Sequence, residues 1–114
     1  MKRLPESKFS NALRVVRKAR GLTQEDFDDV SSRVYISALE RGVKQPTLRK
    51  VDALAGCIGV HPLTLLVLAY CRKADAGDAI VLCERVLVEL DGLFEKEQMG
   101  DGDPPAGAAQ MLRR

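Results

Sequence analysis

The sequence of 114 residues contains no tryptophan, one histidine and only five aromatic residues. So few aromatic side chains, together with many leucine, valine and alanine residues, favour helices over strands. The length allows one domain with an appended helix and leaves no room for a large catalytic α/β fold beside a second domain. With 46% hydrophobic residues, the chain can bury a core of its own.

Cysteine is also scarce. Cys57, Cys71 and Cys83 are an odd number at wide spacing, which does not fit a disulfide framework, and together with His61 they lack the paired short spacings of a zinc site. The longest apolar stretch, Pro62 to Cys71, is too short to span a bilayer, and no signal peptide opens the chain. We therefore expect a reduced cytoplasmic protein with no metal, no cofactor and no membrane association.

Motifs for catalysis are missing as well. The sequence has no glycine-rich phosphate loop, no clustered histidine and acid pair, and no nucleophile with a nearby base. These are the arrangements on which most enzymatic mechanisms depend. We expect that the protein is not an enzyme.

The net charge of +2 hides a strong polarity along the chain. Residues 1–73 contain 14 basic and 7 acidic residues, a balance of +7, whereas residues 74–114 contain 4 basic and 9 acidic residues, a balance of −5. Such asymmetry indicates a basic surface that meets an anion, followed by a separate acidic segment.

Apolar spacing predicts three short helices in the first 42 residues. The first runs from Lys8 to a stop at Gly21. The second covers residues 24–30, where Thr23 and Asp26 resemble a capping box. The third covers residues 33–40, with Ser31 and Ser32 available as its cap.

Two further helices complete a five-helix unit. Thr47 is a plausible cap for the fourth helix, which presents Leu48 and four further apolar residues to the core and stops at Gly59. Proline in the first turn starts the fifth helix at His61-Pro62. Its predicted inward residues are Leu63, Leu66, Val67 and Tyr70.

A sixth helix, capped by Asp78, follows a polar joint at residues 73–77. Its apolar residues recur at steps of three and four, as in a heptad repeat. The predicted seam consists of Ile80, Cys83, Val86, Leu87, Leu90 and Phe94. This helix either folds back over the core or pairs with a second copy, and its wide apolar surface favours the homodimer.

The predicted organisation is therefore all-α in four segments. Residues 1–7 form a flexible arm, residues 8–73 a compact helical domain, residues 74–99 an amphipathic dimerisation helix, and residues 100–114 a disordered tail.

Four motifs occur in a recognisable order, at residues 17–27, 35–42, 46–48 and 59–63. In this order they resemble the XRE family of lambda-repressor-like helix-turn-helix regulators, and the resemblance covers residues 9–70. It implies a five-helix DNA-binding domain in which the helix from Arg33 enters the major groove of double-stranded DNA.

The resemblance also implies the contact residues. Base edges would be contacted by Ser32, Arg33, Val34, Ser37 and Ala38, and the DNA backbone by Gln24, Arg14, Arg17, Arg41 and Lys44. The interval from Phe27 to Ile36 is nine residues instead of the usual eleven, so the first helix of the motif must be shorter or its turn tighter. Four acids at residues 25–29 would repel phosphates, and we expect most of them on the outer face.

These patterns predict a sequence-specific transcriptional regulator that acts as a homodimeric repressor on a palindromic operator, in the cytoplasm and associated with the nucleoid. Two alternatives remain open. One is an antitoxin-like or adaptor protein that binds a protein partner through its last helix. The other is an interaction module that has lost DNA binding.

Overall fold

The computed structural model describes residues 8–73 and 75–100, with side chains described up to residue 96. The helices are α1 (Phe9–Ala19), α2 (Arg33–Glu40), α3 (Leu48–Ile58), α4 (Pro62–Tyr70) and α5 (Ala76–Gly100), with a 3-10 helix at Gln24–Phe27. No strand is present in these ranges. The all-α prediction is confirmed. The predicted arm at 1–7 and residues 101–114 of the predicted tail lie outside the described part of the chain.

The chain divides into two units between Ala79 and Ile80. The core of the first unit collects apolar side chains from α1 to α4 and from the 3-10 helix. Its fully buried large residues are Phe27, Leu13, Ile36, Leu39, Leu54, Leu65 and Val51. Burying side chains of this size stabilises the fold by roughly 1.5–3 kcal/mol each. This core holds the 3-10 helix and α2 together.

Local signals set the helix boundaries. Thr47 caps α3, because its Oγ1 accepts a hydrogen bond of 3.1 Å from the backbone N–H of Lys50. The helix ends at Gly59, whose φ of +87° lies in the left-handed region that glycine adopts without strain. His61 caps α4, since its Nδ1 accepts a bond of 3.0 Å from the N–H of Leu63. The sequence predicted each of these boundaries.

The second predicted helix is reduced to one 3-10 turn. The N–H of Thr23 donates to Asp26 Oδ2 over 2.7 Å, which confirms the predicted capping box. The backbone N–H groups of Val30 and Ser31 both donate to the carbonyl of Phe27 at 2.9 Å and end the turn there. The shortened interval therefore removes helix from the first half of the motif, as the nine-residue spacing required.

The predicted inward face of α4 is wrong in part, although Leu66 packs against the core. Leu65 and Ala69 are buried, whereas Leu63 and Tyr70 are exposed and Leu66 and Val67 are half-buried. Almost every residue of α4 is apolar, so its periodicity carries no information about which face is covered.

Two smaller expectations also fail at helix starts. Leu48 is 72% exposed, because it is the first residue of α3 and lies before the turn that packs. Asp75 takes the capping place predicted for Asp78, since its Oδ1 accepts from the N–H of Asp78 at 2.8 Å. Asp78 instead accepts from the N–H of Lys73 at 2.7 Å.

Candidate nucleic-acid interface

The exposed face of α2 begins at a well-defined cap. Ser32 is exposed, and its Oγ accepts a bond of 3.1 Å from the backbone N–H of Tyr35. The hydroxyl hydrogen of Ser32 can still donate to another group. On the other side of the turn, Lys50 Nζ donates to the carbonyl of Val30 over 2.9 Å. These two bonds fix the direction in which α2 leaves the turn.

A shallow groove of about 380 Å³ runs along this face. It is lined by Gln24, Arg33, Val34, Ser37 and Arg41. Val34 is 79% exposed although it is apolar, so its side chain is accessible to a ligand. Five of the DNA contacts that the family resemblance implies therefore share one surface.

Ala38 does not belong to this surface. It is 6% exposed and is part of the buried set, so the structure speaks against the predicted base contact at this position. The sequence could not decide the point, because alanine fits both a groove and a core. Arg33 and Val34 remain as exposed side chains at the start of α2, and Ser37 is half-buried.

Arg17 and Glu40 form a buried ion pair beneath the groove. Arg17 Nε donates to Glu40 Oε2 at 2.7 Å and Nη2 donates to Oε1 at 2.9 Å. Arg17 Nη1 also donates to the carbonyl of Leu22 at 2.9 Å. The pair joins α1 to the end of α2 across 23 positions of sequence. Arg17 has no exposed donor face for DNA, and we withdraw it from the predicted backbone contacts.

The same pair orients Gln24. Its Nε2 donates to Glu40 Oε1 over 3.3 Å, so the amide at the start of the 3-10 helix is attached to a buried carboxylate. Its Oε1 and second amide hydrogen stay available to a ligand. Glu40 therefore has a structural role, joining α1, α2 and the 3-10 helix.

Electrostatics reinforce the pair. Burial raises the pKa of Glu40, but hydrogen bonds from Arg17 and Gln24 and the nearby charges of Arg17 and Arg14 lower it, and the net pKa lies below the ordinary value. The hydrogen bond to Glu40 raises the pKa of Arg17, against the opposing effect of desolvation. Both groups are therefore held in their charged forms.

Helical spacing in the sequence indicates that Arg17 and Glu40 both face the core, although both residues are charged. Leu13, Val16 and Arg17 follow the i, i+3, i+4 spacing of one helix face, and Glu40 lies four residues after buried Ile36. Both charged residues thus occupy inward positions of their helices. An arginine and a glutamate on facing inner positions indicate a buried pair.

Several other cationic side chains of the first unit have defined contacts. Lys44 Nζ and Lys50 Nζ lie 5.7 and 5.3 Å from the centre of the Tyr35 ring, within the range of a cation–π contact. Arg41 Nε donates to the carbonyl of Ser37 over 3.3 Å. Exposed Arg14 has one bond of 3.4 Å to Asn11 Oδ1. Arg14, Arg41 and Lys44 are exposed, so these predicted backbone contacts stay accessible.

One acid of the 3-10 helix lies beside the groove. Glu25 Oε1 is 3.2 Å from Arg33 Nη1, and the two side chains are 64% and 59% exposed. Asp26 is engaged in the capping box with Thr23. Glu25 therefore does not follow the expectation that most of the acids point away from the predicted interface.

The second unit carries the predicted seam of α5. Ile80, Cys83, Val86 and Leu90 are exposed, and Leu87 and Phe94 are half-buried. Exposed apolar residues at heptad spacing are typical of a helix that packs against another helix. The seam remains a prediction at this point.

In the described ranges, no three or more His, Cys, Asp or Glu side chains are grouped to hold a metal ion. No single helix there is long and apolar enough to cross a bilayer. Helices α3 and α4 together have the length and apolar composition of a membrane span, but the chain bends by 110° between them.

Comparison with known proteins gives two matches. A helix-turn-helix family model matches residues 13–65. The "Uncharacterized HTH-type transcriptional regulator y4dJ" of Sinorhizobium fredii (strain NBRC 101917 / NGR234) is 37% identical over 68 residues, which cover 58% of this chain and 83% of that protein. No solved structure matches the chain. The family match includes the 3-10 helix, α2 and every residue that lines the groove.

Proposed function

We propose a function from one premise: the chain belongs to the XRE family of helix-turn-helix, DNA-binding transcriptional regulators. The observation that carries the proposal is the groove on α2, where Gln24, Arg33, Val34, Ser37 and Arg41 meet. In the proposed complex this face of α2 enters the major groove of double-stranded DNA.

Each side chain has a distinct task in this complex. Arg33 presents a planar fork of donors to guanine O6 and N7, which is the most common specific contact in the major groove. Val34 contacts a thymine methyl group, and the hydroxyls of Ser32 and Ser37 bond base edges. These contacts supply the choice of sequence.

Contacts to the DNA backbone supply affinity and register. Gln24 donates to a phosphate from the start of the 3-10 helix while Glu40 orients its amide. Arg14, Arg41 and Lys44 approach neighbouring phosphates and release counterions. Because these contacts do not read bases, they should act on all DNA sequences alike.

Specific DNA binding requires two copies of the chain, because one module contacts too little DNA. A single small DNA-binding module buries only about 600–1,000 Å² of protein surface on DNA. Two recognition helices related by a two-fold axis read inverted half-sites about 34 Å apart. We propose that the α5 seam joins the two copies, and that the dimer occupies a palindromic operator and represses transcription by excluding polymerase. Its place is with the DNA of the nucleoid in the cytoplasm.

Replacement of Arg33 tests the recognition surface. The R33A variant should bind its preferred site about 10- to 100-fold more weakly, because one bidentate guanine contact is worth about 1–3 kcal/mol. Binding to unrelated DNA should change far less. Fluorescence anisotropy with a short duplex at fixed salt measures both affinities, and circular dichroism checks that the fold is retained.

The matched variant is R33K, which keeps the charge and loses the fork. It should lose most of the preference for the site while its affinity for unrelated DNA stays near that of the wild type. Unchanged affinity of R33A for the preferred site would remove Arg33 from the base contacts.

A further inference from the structure

The ion pair between Glu25 and Arg33 connects the 3-10 helix to the first residue of α2. Its two atoms, Glu25 Oε1 and Arg33 Nη1, are 3.2 Å apart at the edge of the groove. We propose that Glu25 is a positioning residue for base recognition, holding the Arg33 guanidinium in the orientation that bonds a guanine. This inference rests on the proposed function of Arg33.

The donors of Arg33 allow both contacts at once. A guanidinium carries five N–H donors in a fixed plane, and Glu25 contacts it at Nη1. The edge formed by Nε and Nη2 stays open for the two acceptors of one guanine. A carboxylate behind the fork restricts the rotations of the long arginine side chain, so that less conformational entropy is lost when the base is bound.

Glu25 itself is held on a rigid support. The preceding residue, Gln24, is bonded to the buried Glu40, and the following residue, Asp26, is bonded to the N–H of Thr23. Phe27 then anchors the turn in the core, where its ring is fully buried. Because its backbone is held in this way, Glu25 can keep the Arg33 side chain in one orientation.

The position of Glu25 has two opposite effects on DNA binding. Its negative charge repels phosphates and weakens binding to every sequence. Its contact with Arg33 strengthens the preference for one base over the others. Removing Glu25 should therefore raise the affinity for unrelated DNA and lower the discrimination between sites, a combination that loss of structure would not produce.

The test compares E25A with E25Q and with a charge control, D28A, whose acid is exposed in the adjacent turn. Two duplexes serve as probes: the preferred site, and the same site with the G·C pair read by Arg33 changed to A·T. E25A should reduce the affinity ratio of these probes about two- to fivefold, the range of an exposed ion pair. E25Q keeps an acceptor oxygen and should lose less, while D28A should leave the ratio unchanged.

Each result is decisive. The inference is overturned if R33A abolishes the ratio but E25A leaves it at the wild-type value. It is also overturned if E25A changes the preference at a different base pair, since Glu25 would then read a base itself. If R33A has no effect on the ratio, Arg33 does not contact the base, and the positioning role of Glu25 is overturned as well. In the double variant E25A/R33A, the ratio should equal that of R33A alone.

Discussion

Replacing Glu40 with alanine should destabilise the first unit by about 3–5 kcal/mol, because the change leaves the buried guanidinium of Arg17 without its carboxylate. The free energy of unfolding of a small domain is about 5–15 kcal/mol in total, so much of the stability would be lost. Urea unfolding followed by circular dichroism at neutral pH measures the change. D52A, an acid-to-alanine change at an exposed position of α3, should shift stability by less than about 0.5 kcal/mol.

Two further measurements separate the pair from simple loss of packing. The double variant R17M/E40L removes both charges and should recover much of the stability, because well-packed apolar side chains can replace a buried ion pair. Acid should reduce the difference between the wild type and E40A. The pKa of Glu40 is lowered in the fold from an ordinary value of 4.5, so its contribution is present above that pH and is lost as the pH falls through the lowered pKa. A loss below about 1 kcal/mol in E40A at neutral pH would contradict the structural role of the pair.

If the α5 seam joins two copies as proposed, the double variant L87D/L90D should be a monomer and should bind the operator at least about 100-fold more weakly. Two charges at neighbouring seam positions cannot be buried against a second helix without a large cost. Once the copies separate, each recognition unit binds alone and the gain from joined half-sites, about 10²–10⁴ in affinity, is lost. Sedimentation measures the mass, and anisotropy on a two-half-site duplex measures the affinity.

The control for this change lies on the same helix. V81D/V88D adds the same two charges at exposed positions outside the seam, and it should leave both the dimer and the affinity near the wild-type values. A persistent dimer in L87D/L90D would place the interface elsewhere. A monomer with unchanged operator affinity would show that DNA binding does not need the second copy.

Much of the fold could be predicted because short polar signals mark its helix boundaries. Ser32, Thr47 and His61 each accept a backbone N–H at the predicted helix start, and these signals depend on nearest neighbours alone. The inward face of α4 could not be predicted, because a helix that is apolar on nearly every side gains its orientation from tertiary packing. Leu65 and Ala69 are buried only because α1 and α3 pack on that side.

The candidate site could likewise be predicted from the sequence only in part. The family resemblance implies five contact residues that the structure brings to one groove: Gln24, Arg33, Val34, Ser37 and Arg41. The charge of Arg17 favours the basic surface, yet its position on α1 faces the core. The contact between Glu25 and Arg33 depends on the shortened turn, and spacing alone could not place these two side chains together.

Selection of bound sites from random double-stranded DNA tests the central claim most directly. The wild-type protein should enrich sequences with two inverted half-sites about one helical turn apart, each with a guanine whose enrichment disappears in R33A. Half-site sequence, spacing and symmetry emerge together from this one measurement. Sequences enriched no further than those recovered with R33A, or no enrichment at all, would contradict sequence-specific recognition by the groove on α2.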